Sequence, residues 1–117
     1  MGIHGEPGLR RGEIMPADDV VDEMLENVLP DLPFESGDEV AVLINSLGAT
    51  PPEELYIIYR RVTQVLGEAG IAIHREFIGE FATSLEMAGA SVSLLKLDGD
   101  LKRLVDAEAH SPFLPAF

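Results

Sequence analysis

Cysteine is absent from this 117-residue sequence, which excludes disulfides, thiolate metal sites and a cysteine nucleophile. Long apolar runs are absent too. None approaches the roughly 20 residues needed to span a bilayer, and the N-terminus lacks a basic stretch followed by an apolar one, the mark of a signal peptide. These absences together lead to the expectation of a cytoplasmic protein with no membrane partner. Basic residues are scarce: eight Lys and Arg face 21 Asp and Glu, for a formal net charge of −13. Such a field repels a phosphate backbone, and no basic stripe with interleaved aromatics is present, so nucleic-acid binding is not expected. The excess acid serves solubility, and an anionic ligand would need a positive site supplied by something else.

What is present is ordinary globular composition, 46% apolar and 25% charged, in a length that suits one modest core. Residues 1–15, rich in glycine, read as a loop or as a strand end running into a loop. A helix is predicted from about Pro16 to Leu29, with Val21, Met24, Leu25, Val28 and Leu29 on one face and Pro30 and Pro33 ending it. Glu39 to Asn45 (EVAVLIN) is a short continuous apolar run, the pattern of a strand buried on both faces. After the turn Ser46 to Thr50, the order Thr50-Pro51-Pro52-Glu53 predicts a capping box opening a second helix. That helix runs to about Ala69, with Leu55, Ile58, Tyr59, Val62, Leu66 and Ala69 inward and Gly70 at the C′ position.

Ile71 to Ile78 and Ala90 to Leu97 read as further strands, the last antiparallel to its predecessor. The stretch between them is too short for a packed crossover helix. A short helix is predicted over Leu101 to Ala107, and an irregular tail follows. The expected fold class is α/β: a two-layer mixed β-sheet with helices mainly on one face, containing a βαβ unit. Three strands are few for such a sheet. Further strands would lie before Met1 or on a partner chain.

Only three histidines are available for chemistry. His74 lies inside a predicted strand and His110 in the tail, and both read as structural or solvated residues. His4 is flanked by Gly2, Gly5, Pro7 and Gly8, with Glu6 nearby. Glycines let backbone approach a ligand closely, and a histidine held there can act as nucleophile, base or ligand. Spacing alone leaves functional and structural roles for His4 open. Ser84, His4 and Asp98 could be imagined as a triad, but no spacing supports one. His4 and Glu6 offer two metal ligands with no second cluster to complete a site, so no metal is expected. The glycines match no phosphate-binding loop. Asp98-Gly99-Asp100 lacks the rest of a calcium loop and reads as a turn.

Three separated segments carry a family resemblance. GIHGEPG (Gly2 to Gly8), VLINSLGATPPEELY (Val42 to Tyr56) and FATSLEMAGASVSLLKLD (Phe81 to Asp98) resemble, in order and spacing, motifs of the substrate-binding subunits of dihydroxyacetone (glycerone) kinases. The resemblance covers essentially the whole chain and implies that residues 1–117 are the C-terminal portion of such a domain. It implies that His4 forms a hemiaminal with the ketone carbonyl of dihydroxyacetone, with Gly5 beside it in the substrate site. An imidazole with its ordinary pKa near 6.5 is a competent nucleophile at neutral pH. Only carbonyl compounds can add to it, so glycerol would be refused by chemistry rather than by shape.

The resemblance further implies that no cofactor sits on this chain. ATP and magnesium, or a phosphorylated donor subunit with ADP and magnesium, would belong to a separate L-type domain or subunit. The N-terminal half of the substrate subunit would supply acid-base residues, and a homo-oligomer is expected. This chain alone should not phosphorylate anything. Departures from the family pattern are Ser46 for a usual Asn, Glu86 for Asp and Ala90 for a common aromatic. They leave His4 untouched but leave open which short ketose is bound, erythrulose being one alternative. A non-catalytic regulatory module that binds dihydroxyacetone would keep the same histidine, and a purely structural dimerisation domain is a third reading.

Overall fold

The computed structural model describes residues 7–116. Three helices and three strands follow one another as α1 (Ala17–Asp31), β1 (Glu39–Ser46), α2 (Pro52–Glu68), β2 (Ala72–Gly79), β3 (Ala90–Leu97) and α3 (Gly99–Asp106). The sheet order is β2-β1-β3. β1 pairs with β2 in parallel and with β3 antiparallel, so β1-α2-β2 is the expected βαβ unit. β3 does run opposite to β2, but it pairs on the other side of β1 rather than with its predecessor. The connection Glu80–Gly89 is free to reach there because no packed helix constrains it.

The expected α/β class with a two-layer mixed sheet and helices mainly on one face describes this arrangement. Val40, Val42 and Ile44 of β1 are fully buried, and with Val21 and Leu25 of α1 and Leu55, Val62 and Leu66 of α2 they make one cluster. Ile73 and Ile78 of β2 and Ala90, Val92 and Leu94 of β3 pack against it, half-buried. Alternation along β1 and β3, and in β2 alternation reset by the register slip at His74 between Ile73 and Arg75, puts all of these on the face that α1 and α2 cover. Burying one such Val, Leu or Ile fully is worth about 1.5–3 kcal/mol. Ala41 is also buried on the opposite face, as the continuous apolar run of β1 predicts.

Several local expectations hold and others change. Helix α2 ends as predicted: Gly70 has φ +73°, its N–H donates to the Gly67 carbonyl, and the Ile71 N–H donates to Leu66. This is the doubly bonded C-terminal motif that favours glycine at C′. Ala69, expected inward, is exposed because it already stands at the cap. Pro30 does not stop α1, which runs on to Asp31. In the last turn Pro30 withholds only the N–H that would reach Glu26, and the Leu29 carbonyl, to which Pro33 has no N–H to give, is taken by the Phe34 N–H at 3.2 Å.

Thr50 caps nothing. The N-cap is Pro51, with no side-chain bond, and the Thr50 hydroxyl donates instead to the Gly89 carbonyl at 2.8 Å. Asp98-Gly99-Asp100 is a helix start rather than a turn. The Asp98 carboxylate accepts from the Leu101 N–H at 2.8 Å, which is N-cap geometry.

Ion pairs fasten the helices. Arg61 forks onto Asp22 at 2.8 and 2.9 Å, Arg60 meets Asp18, and Arg10 holds Glu23. The hydrogen bond from Arg61 holds the Asp22 carboxyl below its ordinary value of 3.8. Glu23 is lowered by Arg10. Asp38 is lowered first by the Glu35 N–H and then by Lys96. A carboxylate depressed in the fold stabilises it at pH values above its unfolded pKa. That contribution is lost as pH falls through about 4 toward the folded value. The stability difference between pH 6 and pH 3, measured by urea unfolding, should therefore be smaller in Asp22→Asn than in the parent. An unchanged difference would show that this pair contributes nothing to acid sensitivity.

Candidate functional site

At the carboxyl end of β1, two loops of opposite origin are sewn together. The first is Leu47 to Thr50; the second is Phe81 to Gly89, which leads into β3. The Leu47 N–H donates to Gly89, the Ala49 N–H to Met87 and the Ser84 N–H to Leu47, and Gly48 bridges Met87 as an isolated parallel pair. Ser46, 1% exposed, donates its hydroxyl proton to the Thr50 carbonyl at 2.8 Å and accepts from the Gly48 N–H at 3.2 Å. Two of the motif segments singled out in the sequence thus meet in one hydrogen-bonded junction. Ligands of open α/β sheets sit at the carboxyl ends of parallel strands.

Asn45 is the centre of that junction and was not singled out from the sequence. It is 3% exposed. Its Oδ1 accepts from the backbone N–H of Phe81 at 2.9 Å and of Ala82 at 3.0 Å. Its Nδ2 donates to the Ala82 carbonyl at 2.7 Å and the Ser91 hydroxyl at 3.3 Å. One amide thereby satisfies three backbone groups of a loop that has no regular structure of its own. The signal that could have found it was a lone amide closing an otherwise apolar run. Asn45→Ala would leave those groups unpaired and should lower the unfolding free energy by about 2–4 kcal/mol, read from the urea midpoint. A loss below half a kcal/mol, on the order of a surface change, would mean that water replaces the amide.

The sequence-predicted site residues fare differently. His4 and Gly5 lie outside the described residues. His74 points its Nε2 at both carboxylate oxygens of Asp106, 2.9 Å from each. The neighbouring Arg75 donates to the Val105 carbonyl at 2.8 Å and stacks over Phe77, 5.0 Å from the ring centroid. These contacts tie the end of α3 to β2, which is structural work. His110 is exposed in the tail. Ser84 and Asp98 are not brought together: Ser84 lies in the loop before β3 and Asp98 just beyond its far end, a strand length of about 25 Å away. Among the described residues no group of three His, Asp or Glu could hold a metal ion.

A surface concavity of about 360 Å³ opens beside β2, lined by Arg75, Glu76, Phe77, Ile78, Phe81, Leu114 and Pro115. Phe81 belongs to both features, since its N–H is held by Asn45. Tyr59 on α2 has its phenol pushed up by burial and by Glu76, so it stays protonated at neutral pH. The side chains that bond the two loops of the junction together, those of Asn45, Ser46 and Thr50, are uncharged.

Comparison with known proteins identifies the frame. Residues 1–113 match the Dak1 domain. The chain is 46% identical over 113 residues to the dihydroxyacetone-binding subunit DhaK of a PTS-dependent dihydroxyacetone kinase 2 of Listeria innocua, covering 97% of this chain and 34% of that one. It is 39% identical to the corresponding subunit of the PEP-dependent kinase of Escherichia coli, covering 97% and 39%. An L-erythrulose kinase of Pectobacterium atrosepticum is 40% identical, with coverage of 96% and 20%.

Among solved structures, one from work on regulation of the dha operon of Lactococcus lactis superposes with a TM-score of 0.85 at 24% identity, over 98% of this chain and 37% of that one. The dihydroxyacetone kinase of C. freundii in complex with AMP-PNP and Mg2+ superposes with a TM-score of 0.76 at 28% identity, over 99% and 21%. The chain spans about a third of the length of the first of these relatives. On the residues it matches and the fold it shares, this chain belongs to the Dak1 domain family.

Proposed function

We propose that residues 1–117 are the C-terminal portion of a dihydroxyacetone-kinase substrate-binding domain and that His4 holds the substrate covalently. The observation that carries this reading is the match of residues 1–113 to the Dak1 domain, together with 46% identity to a dihydroxyacetone-binding subunit. The lone pair of the imidazole nitrogen of His4 adds to the ketone carbon, the carbonyl electron pair moves to oxygen and takes a proton, and the other ring nitrogen gives its proton up. No water is lost, so the product is a neutral hemiaminal. The adduct fixes the terminal hydroxyl for phosphoryl transfer, a positioning effect. Gly5, next to it in the sequence, belongs to the same substrate site.

The donor, ATP with magnesium or a phosphorylated subunit, belongs to a separate L-type domain or subunit, and the site is completed by the N-terminal half of the substrate subunit. The assembly works in the cytoplasm as a homo-oligomer. Alone, the chain transfers no phosphate. Erythrulose is the second candidate ketose, favoured by 40% identity to an erythrulose kinase; the addition chemistry is the same.

The test is carbon NMR of dihydroxyacetone labelled at the carbonyl, mixed with the chain joined to the upstream portion of the Listeria innocua subunit. Hemiaminal formation moves the labelled signal from the ketone to the tetrahedral region. A spectrum showing only free and hydrated ketone at saturating protein would refute the covalent reading. Erythrulose in place of dihydroxyacetone ranks the two substrates.

A further inference from the structure

We infer that Met87 is a site of reversible oxidation by peroxides, and that its sulfoxide loosens the junction between the loops Leu47 to Thr50 and Phe81 to Gly89. The inference stands on the geometry of the junction alone and is independent of what the site binds.

The chemistry falls to a thioether because the sequence has four methionines and no cysteine. Met87 is 40% exposed, and among the described residues it is the most exposed methionine, Met15 and Met24 being half-buried. A lone pair of its sulfur attacks one oxygen of hydrogen peroxide and the O–O bond breaks. The departing hydroxide takes the proton of the transferred oxygen and leaves as water. Sulfur is oxidised by two electrons and the peroxide is reduced. A soft apolar group thereby becomes a polar S=O. A thiol-dependent methionine sulfoxide reductase reverses the change: two thiols become a disulfide, and the oxygen leaves as water.

The position of Met87 makes that change matter. A Cβ added at Gly89 would lie 3.0 Å from Leu47 Cδ1 and 3.9 Å from Met87 Cγ, so the two side chains flank the same glycine. Leu47 is 5% exposed. The same two residues tie the loops through their backbones. The Met87 carbonyl accepts from the Ala49 N–H at 3.1 Å, and its N–H donates to the Ser84 carbonyl at 3.2 Å. The Leu47 carbonyl accepts from the Ser84 N–H at 3.0 Å, and the Leu47 N–H donates to Gly89 at 3.0 Å.

Little else packs the second loop down. Ala82, Thr83, Leu85, Glu86 and Ala88 are exposed, and Leu85 holds a positive φ of 56°. A segment with few buried apolar contacts opens locally at low free energy. A sulfoxide on Met87 is drawn to water, which strips the cover from Leu47 and leaves the Ala49 and Ser84 hydrogen bonds without packing. The Phe81 and Ala82 amides are held separately by Asn45, so the opening stops short of them.

The experiment treats the chain with dilute hydrogen peroxide, maps the added oxygen by peptide mass and follows amide hydrogen exchange. Cleavage after Arg75 and Lys96 places Met87 on a peptide free of Met15 and Met24. That peptide should gain one oxygen, and the Ala49 and Ser84 amides should then exchange about tenfold or more faster, with Phe81 and Ala82 unchanged. Treatment with the reductase and a thiol should restore both readings. Met87→Leu, an apolar change of similar volume, should show neither effect after the same peroxide treatment. Met87 left unoxidised where free methionine is fully converted overturns the inference. So do Ala49 and Ser84 rates that stay the same in the oxidised chain, and so does equal acceleration in Met87→Leu, which would assign the loosening to another methionine.

Discussion

His4→Ala should abolish the tetrahedral-carbon signal from carbonyl-labelled dihydroxyacetone, while His74→Ala and His110→Ala keep it. The three histidines are the chain's whole supply of imidazole. His74 is engaged with Asp106, and His110 is exposed in the tail, so neither is placed to compete. On the covalent reading proposed above, removing the ring nitrogen of His4 removes the nucleophile that adds to the ketone. In an assembly with the L-type partner the same variant should lose kcat/KM by on the order of a thousandfold or more, because the positioning of the reacting hydroxyl goes with the adduct. The KM should rise as well as kcat fall, since the bond contributes to ground-state binding. Retention of the tetrahedral signal in His4→Ala would move the attachment elsewhere. His74→Ala also serves as a control on stability, since it removes a link between β2 and α3.

Gly48→Ala should be strongly destabilising, at about 3 kcal/mol or more. Gly48 has φ +138°, a region that L-residues avoid. A Cβ built there would lie 2.4 Å from the Leu85 carbonyl oxygen and 3.2 Å from the Glu86 Cα. Those are backbone atoms, held in place by the Ser84, Met87 and Gly89 hydrogen bonds of the junction, and they cannot swing aside as a side chain would. The loop would have to open, taking the Gly48–Met87 bridge with it.

Gly37 is the matched control. It also has positive φ, +95°, but nothing lies within 4 Å of its added Cβ, so Gly37→Ala should cost only the backbone term, about 1 kcal/mol. The two variants, compared by urea unfolding, separate conformational strain from collision. Equal losses would mean that the two loops do not meet in solution as they do here. Leu85, at φ +56° and largely exposed, suggests why collision matters: the loop already holds a non-glycine residue in the left-handed region.

The sequence by itself determined the elements and much of their packing. Apolar spacing located α1, α2 and the buried run of β1, because a core-facing side chain must recur with the period of its backbone. Gly70 announced the end of α2, because a backbone that needs positive φ there favours glycine. The histidine was legible only as a loop residue among glycines, and the motif GIHGEPG, rather than its spacing, supplied its chemistry.

Tertiary structure alone decided the rest. Thr50 has a local partner in any sequence-based reading, yet it bonds Gly89, because the two loops meet only when β3 inserts beside β1. Asn45 looked like the last residue of a strand and proved to be the fastening of a distant loop, since a buried amide takes whatever backbone the fold brings to it. The neighbour of β3 was equally out of reach. Periodicity fixes which face of a strand is buried, but which strands lie side by side depends on how helices cross the sheet.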